Sequence, residues 1–211
     1  MRAVIVLGGD APKAELLAEA MRGADLTSAV DRGLAAFDAA GLMPDLLIGD
    51  MDSIRPDVLE KYEGRVEEER LNCIKDDTDG VHALDVAMEK GADTVVLLGA
   101  LGGRMDHALA NLMLLVRAGR KHVRAEIVDD GVRVFRVDGK ETLIGAKGQT
   151  VSILPLGGAE GVSLTGFFYP LQNRRLTADF PLGISNVVTG DEAVVTVERG
   201  DLLLFQYEKT M

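Results

Sequence analysis

The sequence predicts an α/β protein of two domains, in which a mostly parallel α/β sandwich precedes an antiparallel β-sandwich. Two observations carry this prediction. Short apolar runs alternate with helical patterns up to Ala118, which indicates parallel strands covered by helices on both faces. After Arg124, short strand-like runs follow one another without helical spacing, as is typical of an antiparallel sandwich or partial barrel. We therefore expect a domain of residues 1–128 and a second of residues 129–211.

The N-terminal elements follow from apolar periodicity. Strands need four to eight mostly apolar residues, whereas helices need apolar residues three or four positions apart. The predicted strands are Ala3–Leu7, Leu26–Val30, Leu46–Gly49 and Thr94–Leu98. The predicted helices are Pro12–Met21, Leu34–Ala40, Pro56–Tyr62, Val81–Lys90 and Ala108–Ala118.

The C-terminal elements are separated by turns such as Asp129-Asp130-Gly131 and Arg199-Gly200-Asp201. Glycine after a polar residue is a common hairpin signal. The predicted strands are Glu126–Asp129, Val132–Val137, Glu141–Ile144, Thr150–Pro155, Gly161–Thr165, Ala193–Glu198 and Asp201–Tyr207. The segment Gly183-Ile184-Ser185-Asn186 is expected outside any strand, where Ser and Asn usually stabilise turns.

Composition limits the classes of partner. The chain has 34 acidic and 23 basic side chains, a net charge of −11, which argues against binding to nucleic acids or anionic membranes. No apolar run approaches the roughly 18 residues of a membrane-spanning helix. Cys73 is the single cysteine, so no internal disulfide can form and a reducing cytoplasm is expected.

Five aspartates follow predicted strands directly or after one loop: Asp31, Asp50, Asp52, Asp79 and Asp106. In an open parallel sheet, ligands bind in the crevice beyond the carboxyl ends of the strands. Carboxylates gathered there repel one another unless a cation neutralises them. Oxygen ligands suit Mg²⁺, which proteins usually hold with one or two carboxylates and substrate phosphates. The sequence therefore predicts a site for a metal-bound polyphosphate.

Two further segments bear on phosphate binding. Gly102 and Gly103 end the loop before a helix, where exposed backbone N–H groups can hold phosphate oxygens, and Arg104 follows them with a bidentate donor. Lys75 could neutralise a phosphate. Neither a Walker A loop nor a dinucleotide fingerprint is present, because Gly-Lys-Ser/Thr is missing here and Gly8-Gly9-Asp10 lacks a third glycine.

Several of these residues have a structural alternative. Asp52 or Ser53 could cap the helix at Pro56–Tyr62, and Thr78 or a neighbouring acid could cap the helix at Val81–Lys90. His107 is more often a helix-surface residue than a base. Capping does not account for Lys75.

Taken together, these segments resemble the thiamine pyrophosphokinase (thiamin diphosphokinase) family over almost the whole chain. The matching motifs are Val30-Asp31-Arg32-Gly33, Pro44 to Ile54, Lys75-Asp76-Asp77-Thr78-Asp79, Gly102-Gly103-Arg104-Met105-Asp106-His107 with Asn111, Tyr169-Pro170-Leu171, and Gly183-Ile184-Ser185-Asn186. Their order and approximate spacing are kept, which makes them stronger evidence than any one motif.

The resemblance implies a homodimeric enzyme that transfers the diphosphate of ATP to the hydroxyl group of thiamine, with thiamine bound between subunits. By this resemblance Asp50, Asp52 and Asp79 would bind Mg²⁺, and Asp52, Asp79, Arg104 and Asp106 would act in catalysis. The nucleotide would contact residues that match the family's phosphate side: Asp31, Lys75, Thr78, Gly102, Gly103, Arg104, His107 and Asn111. Ser185 and Asn186 match the family's pair near thiamine.

The sequence departs from the family pattern at two positions. Arg32 stands where a second glycine is usual, and Val81 where an acid is common. The chain also lacks tryptophan, so stacking on thiamine would need Phe or Tyr. These departures keep two alternatives open: a related diphosphotransferase acting on a pterin or another alcohol, and a non-catalytic sensor of thiamine or nucleotide.

Overall fold

The computed structural model describes residues 1–71, 78–180 and 182–208. The chain divides into two compact units, Met1–Asp130 and Gly131–Met211. The first unit contains strands β1 (Arg2–Val6), β2 (Leu26–Val30), β3 (Leu46–Gly49), β4 (Glu67–Arg70), β5 (Thr94–Leu98) and β6 (Arg124–Asp129). Its helices are α1 (Ala14–Met21), α2 (Leu34–Ala40), α3 (Pro56–Tyr62), α4 (Asp79–Glu89) and α5 (Met105–Arg120).

The first unit is built on a parallel sheet with strand order β4-β3-β2-β1-β5-β6. The chain moves outward from β1 to β4 and then returns to the other side of β1 to form β5 and β6. The strand order therefore reverses between β1 and β5. In open α/β sheets, ligands bind near such a switch point, beyond the carboxyl ends of the strands.

Both faces of this sheet are covered by helices. Val4, Val6 and Leu47 lie in one core with buried residues of α1, α2 and α3, among them Phe37. Alternate residues of the strands face the other way, where α4 contacts β1, β2 and β3 and packs against α5. This confirms the predicted α/β class, and burial on both faces explains why the central strands are almost wholly apolar.

Two details of the first unit differ from expectation. Strand β4 was not predicted, because its sequence Glu-Glu-Glu-Arg has no apolar residue; it pairs with β3 at the edge of the sheet, where side chains remain in solvent. Glu126–Asp129 was expected among the antiparallel strands. It instead forms part of β6, which pairs in parallel with β5 from Thr94 to Leu97.

The second unit is an all-β structure. Its strands are β7 (Val132–Arg136), β8 (Lys140–Ile144), β9 (Thr150–Thr165), β10 (Leu171–Thr177), β11 (Asn186–Val187), β12 (Glu192–Thr196) and β13 (Arg199–Tyr207). The order β7-β13-β9-β12-β8 is antiparallel at every pairing, and β10 and β11 also pair with β9. Side chains such as Phe135, Ile153 and Leu204 form its buried core.

Strand β9 corrects the sequence prediction of two strands at Thr150–Pro155 and Gly161–Thr165. Gly157 and Gly158 resemble a turn in sequence, but pairing with β13 continues across them, with a register shift between Gly200 and Asp201. Strands β10 and β11 were also missed. The first is mostly polar and exposed. The second has only two residues and begins at Asn186, the last residue of the segment expected to be irregular.

Within the described parts of the chain, no helix has both the length and the apolar character needed to cross a membrane.

The parallel sheet should depend strongly on its central leucines. Leu47 is fully buried in β3, so Leu47→Ala should lower the free energy of unfolding by about 2 to 5 kcal/mol through lost burial and a residual cavity. Met43→Ala is the control, because Met43 is 39% exposed and should lose less than about 1 kcal/mol. Urea unfolding followed by circular dichroism measures both, and equal losses would contradict this description of the core.

Candidate active site

A cleft of about 600 Å³ opens in the first unit, beyond the carboxyl ends of its strands. It lies at the switch point, since residues that follow β1, β2, β3 and β5 all line it. The lining residues that argue for function are Gly8, Gly9, Asp31, Arg32, Asp50, Asp52, Ser53, Thr78, Asp79, Gly102, Gly103, Arg104, His107 and Asn111. The volume is within the range of small-molecule sites.

The loops after β1 and β5 are in close contact. The Gly9 N–H donates to the carbonyl of Gly99 at 2.8 Å, and the Asp10 N–H donates to the carbonyl of Leu101 at 3.0 Å. A Cβ on Gly9 would lie 2.4 Å from the Gly99 carbonyl oxygen, so only glycine permits this approach. These contacts fix one wall of the cleft.

Asp31 lies at the centre of the opposite wall, in a strained backbone conformation with φ of 47°. Its Oδ1 accepts a hydrogen bond from the Met51 N–H at 3.3 Å. Gly49 has φ of 141°, and a Cβ on it would lie 1.7 Å from that same Oδ1. The missing side chain of Gly49 therefore creates the space that the Asp31 carboxyl group occupies.

The carboxyl groups of this wall perturb one another. Burial, followed by a hydrogen bond with Asp79 and the charges of Asp79 and Asp50, raises the pKa of Asp31 from 3.8 to about 7. A hydrogen bond and charge repulsion from Asp50 raise the pKa of the exposed Asp52. The Asp52 N–H also donates to Asp50 Oδ1 at 3.1 Å. The wall thus brings carboxyl groups close enough together to raise the pKa of Asp31 and of Asp52.

Helix α4 contributes Asp79 from its first turn. Thr78 caps the helix, because its Oγ1 accepts a hydrogen bond from the Val81 N–H at 3.3 Å. The capping alternative is therefore correct for Thr78, which nevertheless also lines the cleft. Lys75, Asp76 and Asp77 lie outside the described residues.

Gly102 and Gly103 precede α5 with φ of 76° and 63°, as the glycine-rich turn predicts. Arg104 follows them and forms a two-pronged ion pair with Asp106, at 3.1 and 2.6 Å. This pair lowers the pKa of Asp106 to about 2. Arg104 lines the cleft but Asp106 does not, and the ion pair uses Nε and Nη2 but not the N–H groups of Nη1.

The two remaining predicted residues of α5 also reach the cleft. Asn111 donates to the carbonyl of Ala100 at 2.8 Å, which ties the helix to the loop after β5. His107 lines the mouth and is exposed. Asn111 therefore has a clear structural role in shaping the site.

The cleft suits a divalent cation whose coordination shell is completed by oxygen atoms of the substrate. In residues 1–71, 78–180 and 182–208, no group of three or more His, Cys, Asp or Glu side chains is arranged to hold a metal ion. Mg²⁺, however, typically takes only one or two carboxylates and fills its remaining positions with water and phosphate oxygens. The all-oxygen donor set of Asp50, Asp52 and Asp79 and the raised pKa of Asp31 agree with that chemistry.

Ser185 and Asn186 belong to the second unit. Asn186 is buried and closes a turn: its Oδ1 accepts from the Tyr169 N–H at 3.0 Å, and its Nδ2 donates to the Tyr169 carbonyl at 2.7 Å. Ser185 is exposed with φ of 57°, and its N–H donates to Ser152 Oγ at 2.9 Å. The amide of Asn186 thus holds the turn, whereas the hydroxyl of Ser185 faces solvent.

Sequence reasoning did not assign Gly8, Gly9, Ser53 and Arg32 to the site, although the structure places all four in its lining. The two glycines end the first predicted strand, so their position at the same sheet edge was an available signal. The direction of the Arg32 side chain was not, because it depends on contacts with loops far away in sequence.

Each of the two units matches the model of a known protein domain. The model of the thiamin pyrophosphokinase catalytic domain matches residues 17–128, and that of the thiamin pyrophosphokinase vitamin B1 binding domain matches residues 135–204. Thiamine pyrophosphokinase of Bacillus subtilis is 29% identical over 185 residues, covering 84% of this chain and 85% of that protein.

Solved structures show the same likeness. The crystal structure of thiamine pyrophosphokinase from Bacillus subtilis has a TM-score of 0.88 at 26% identity and covers 100% of both chains. That of thiamin pyrophosphokinase from Geobacillus thermodenitrificans has a TM-score of 0.83 at 30% identity and covers 100% of this chain and 99% of the other. Motifs, fold and both domain matches agree, and the chain belongs to the thiamine pyrophosphokinase family.

Proposed function

We propose that this chain transfers the terminal diphosphate of ATP to the hydroxyl group of thiamine, giving thiamine diphosphate and AMP. The observation that carries the proposal is the cleft at the switch point, where carboxylates face glycine turns in a chain of this family. Nothing in the described residues favours a pterin substrate or a purely sensory role. Because ATP and a reduced Cys73 are expected in the cytoplasm, we place the activity there.

The proposed metal is Mg²⁺, held by Asp50, Asp52 and Asp79 together with phosphate oxygens. When bound, it would neutralise charge on the phosphates during transfer. Asp31 contacts one of these proposed ligands, because its carboxyl group forms a hydrogen bond with Asp79. The bound cation would relieve the electrostatic repulsion among these acids and the phosphates.

The glycine side of the cleft is proposed to bind the nucleotide phosphates. Backbone N–H groups near Gly102 and Gly103 lie at the start of α5, where the helix dipole favours anions. Asn111 holds this loop in place through Ala100. Lys75 and Thr78 are proposed as further phosphate contacts, and His107 as a contact at the mouth.

In the proposed reaction the thiamine hydroxyl oxygen attacks the β-phosphorus in line, and the bond from that phosphorus to the oxygen on the α-phosphate breaks. The hydroxyl proton passes to a carboxylate and AMP leaves. The two candidate acceptors are Asp79 and Asp106, of which Asp106 is a weak base, because pairing with Arg104 lowers its pKa to about 2. Positioning and charge stabilisation supply most of the rate enhancement.

We also propose a homodimer with thiamine at the subunit interface. The second unit exposes large apolar side chains, namely Phe168, Tyr169, Phe180, Ile184 and Val187. The Phe168 N–H donates to the carbonyl of Val187 at 2.9 Å, next to Asn186. The rings of Phe168 and Tyr169 contact edge to face, with centroids 4.8 Å apart. Such a cluster is unusual on the surface of a monomer, and it adjoins the exposed hydroxyl of Ser185.

Asp52→Asn should reduce kcat by at least about a hundredfold, because the amide cannot replace a charged metal ligand. The fold should be unaffected, since Asp52 is exposed. The control Asp57→Asn removes a nearby exposed acid that pairs with Arg55 outside the cleft and should stay within twofold of the unmodified protein. Formation of AMP and thiamine diphosphate from ATP, thiamine and Mg²⁺ measures both. Normal turnover of Asp52→Asn at saturating Mg²⁺ excludes the metal assignment.

Asp31→Asn should stabilise the metal-free protein while impairing its activity. A carboxyl group whose pKa rises on folding binds its proton more tightly in the folded state, so its contribution to stability falls as pH rises from about 4 to about 7. With EDTA at pH 8, the variant should therefore be more stable by about 2 kcal/mol once solvent screening is allowed for, and at pH 4 the two should nearly agree.

Urea unfolding at the two pH values tests this expectation, again with Asp57→Asn as the control. Equal stability of Asp31→Asn and the unmodified protein at pH 8 would show that the carboxyl groups do not repel one another. Added Mg²⁺ should stabilise the unmodified protein more than the variant, because the cation relieves a repulsion to which the neutral amide no longer contributes.

Phe168→Asp should convert the proposed dimer into a monomer and raise KM for thiamine, because a buried unpaired charge is strongly unfavourable at an apolar interface. The control is Ile144→Asp on β8, since Ile144 is 81% exposed and lies outside the cluster. Analytical ultracentrifugation gives the oligomeric state. An active monomer of the unmodified chain rules out the proposed dimer.

A further inference from the structure

Arg32 lines the cleft with a guanidinium that is held by backbone and not by an acid. Within the residues that the structure describes, Arg32 makes no ion pair, whereas Arg104 is held by both oxygens of Asp106. Arg32 instead donates from Nε to the carbonyl of Gly8. Its terminal nitrogens can therefore serve a ligand in the cleft that the residue lines.

The Arg32 side chain fits between two glycines of different loops. A Cβ on Gly8 would lie 2.9 Å from Cγ of Arg32, and a Cβ on Gly103 would lie 3.4 Å from Nη2. The loop after β1 therefore supports the stem and the loop after β5 borders the tip. One hydrogen bond to backbone fixes the guanidinium before any ligand arrives, which lowers the entropic cost of binding.

Asp31 and Arg32 divide the cleft between opposite charges. The Asp31 carboxyl group lies against Gly49 and the loop after β3, whereas Arg32 lies against Gly8 and Gly103. Two consecutive residues thus place a carboxyl group on one wall and a positively charged guanidinium on the other. A polyphosphate whose metal-bound oxygens face the acids would present its remaining oxygens to Arg32.

We propose that Arg32 is a phosphate-binding residue that holds the polyphosphate chain of the nucleotide against the cleft wall that contains Gly8 and Gly103. This proposal rests on the proposed function, since it assigns a contact within the same site. A guanidinium offers several donors in a fixed plane and suits phosphate oxygens.

Direct binding separates this inference from the proposed reaction. Isothermal titration of the full chain with a non-hydrolysable ATP analogue and Mg²⁺ should give a Kd about tenfold to a hundredfold higher for Arg32→Met than for the unmodified protein. Arg32→Lys should be intermediate, because it keeps the charge but loses the planar fork. Arg22→Gly is the control: Arg22 is exposed at the end of α1, outside the cleft lining, and should bind normally.

Two further probes locate the contact on the nucleotide. Inorganic tripolyphosphate should compete with the analogue for the unmodified protein and lose about as much affinity as ATP in Arg32→Met. Adenosine should bind both proteins equally. In the assay, Arg32→Met should raise KM for ATP and leave KM for thiamine within twofold. Unchanged binding of the analogue to Arg32→Met overturns the inference, while failure of the unmodified protein to bind it overturns the proposed function as well.

A double-mutant cycle tests the geometry itself. Gly8→Ala should weaken binding of the analogue because the new methyl group displaces the Arg32 stem. In an Arg32→Gly background, the same substitution should have almost no effect, since the side chain that it displaces is gone. Additive losses would show that the two residues act independently and would contradict the arrangement proposed for Arg32.

Discussion

Asp31 follows β2 and Asp79 begins α4, yet their carboxyl groups share a hydrogen bond. Burial, more than this bond, raises the pKa of Asp31 to about 7. The rest of the site depends on this close grouping of carboxyl groups. Gly49 has no side chain where the Asp31 carboxyl group lies, and Met51 supplies a single N–H donor to it. An apolar or neutral ligand would not relieve the repulsion. A cation with a polyanion would, which links the stability of the loops to the chemistry that they support.

The opposite wall of the cleft has the complementary character. Tight contacts between the loops after β1 and β5 require Gly9, and the turn at Gly102 and Gly103 leads into a helix N-terminus. The cleft lies between this wall and the acids that follow β2 and β3, beyond the carboxyl ends of the strands. Catalytic chemistry can then rely on positioned charges from rigid strand ends, as phosphoryl-type transfer requires. Arg104 is engaged in an ion pair with Asp106. Arg32 is instead held by a hydrogen bond to the backbone carbonyl of Gly8.

Much of this could be read from the sequence because the signals were local. The helices Leu34–Ala40 and Pro56–Tyr62 have the predicted limits, since apolar spacing alone sets which face is buried. Strand β4 failed that test because an edge strand made of Glu and Arg is stabilised by backbone pairing, not by burial. Strand β9 failed for a related reason: partner strands carry it across glycines that look like a turn. Such pairings are invisible to a reading of local pattern.

The sequence by itself determined the two-domain α/β class, the acidic strand ends and the family, because strand periodicity and motif order are properties of the linear chain. Only the tertiary structure decided how acidic and basic side chains are distributed between the two walls of the cleft. It paired Arg104 in the cleft with Asp106, which lies outside the cleft lining. It also brought Asp79 to Asp31 and buried the amide of Asn186 in a turn. It also directed Arg32 between Gly8 and Gly103. These outcomes depend on contacts between residues far apart in sequence, and the distances that set electrostatic interaction exist only once the chain is folded.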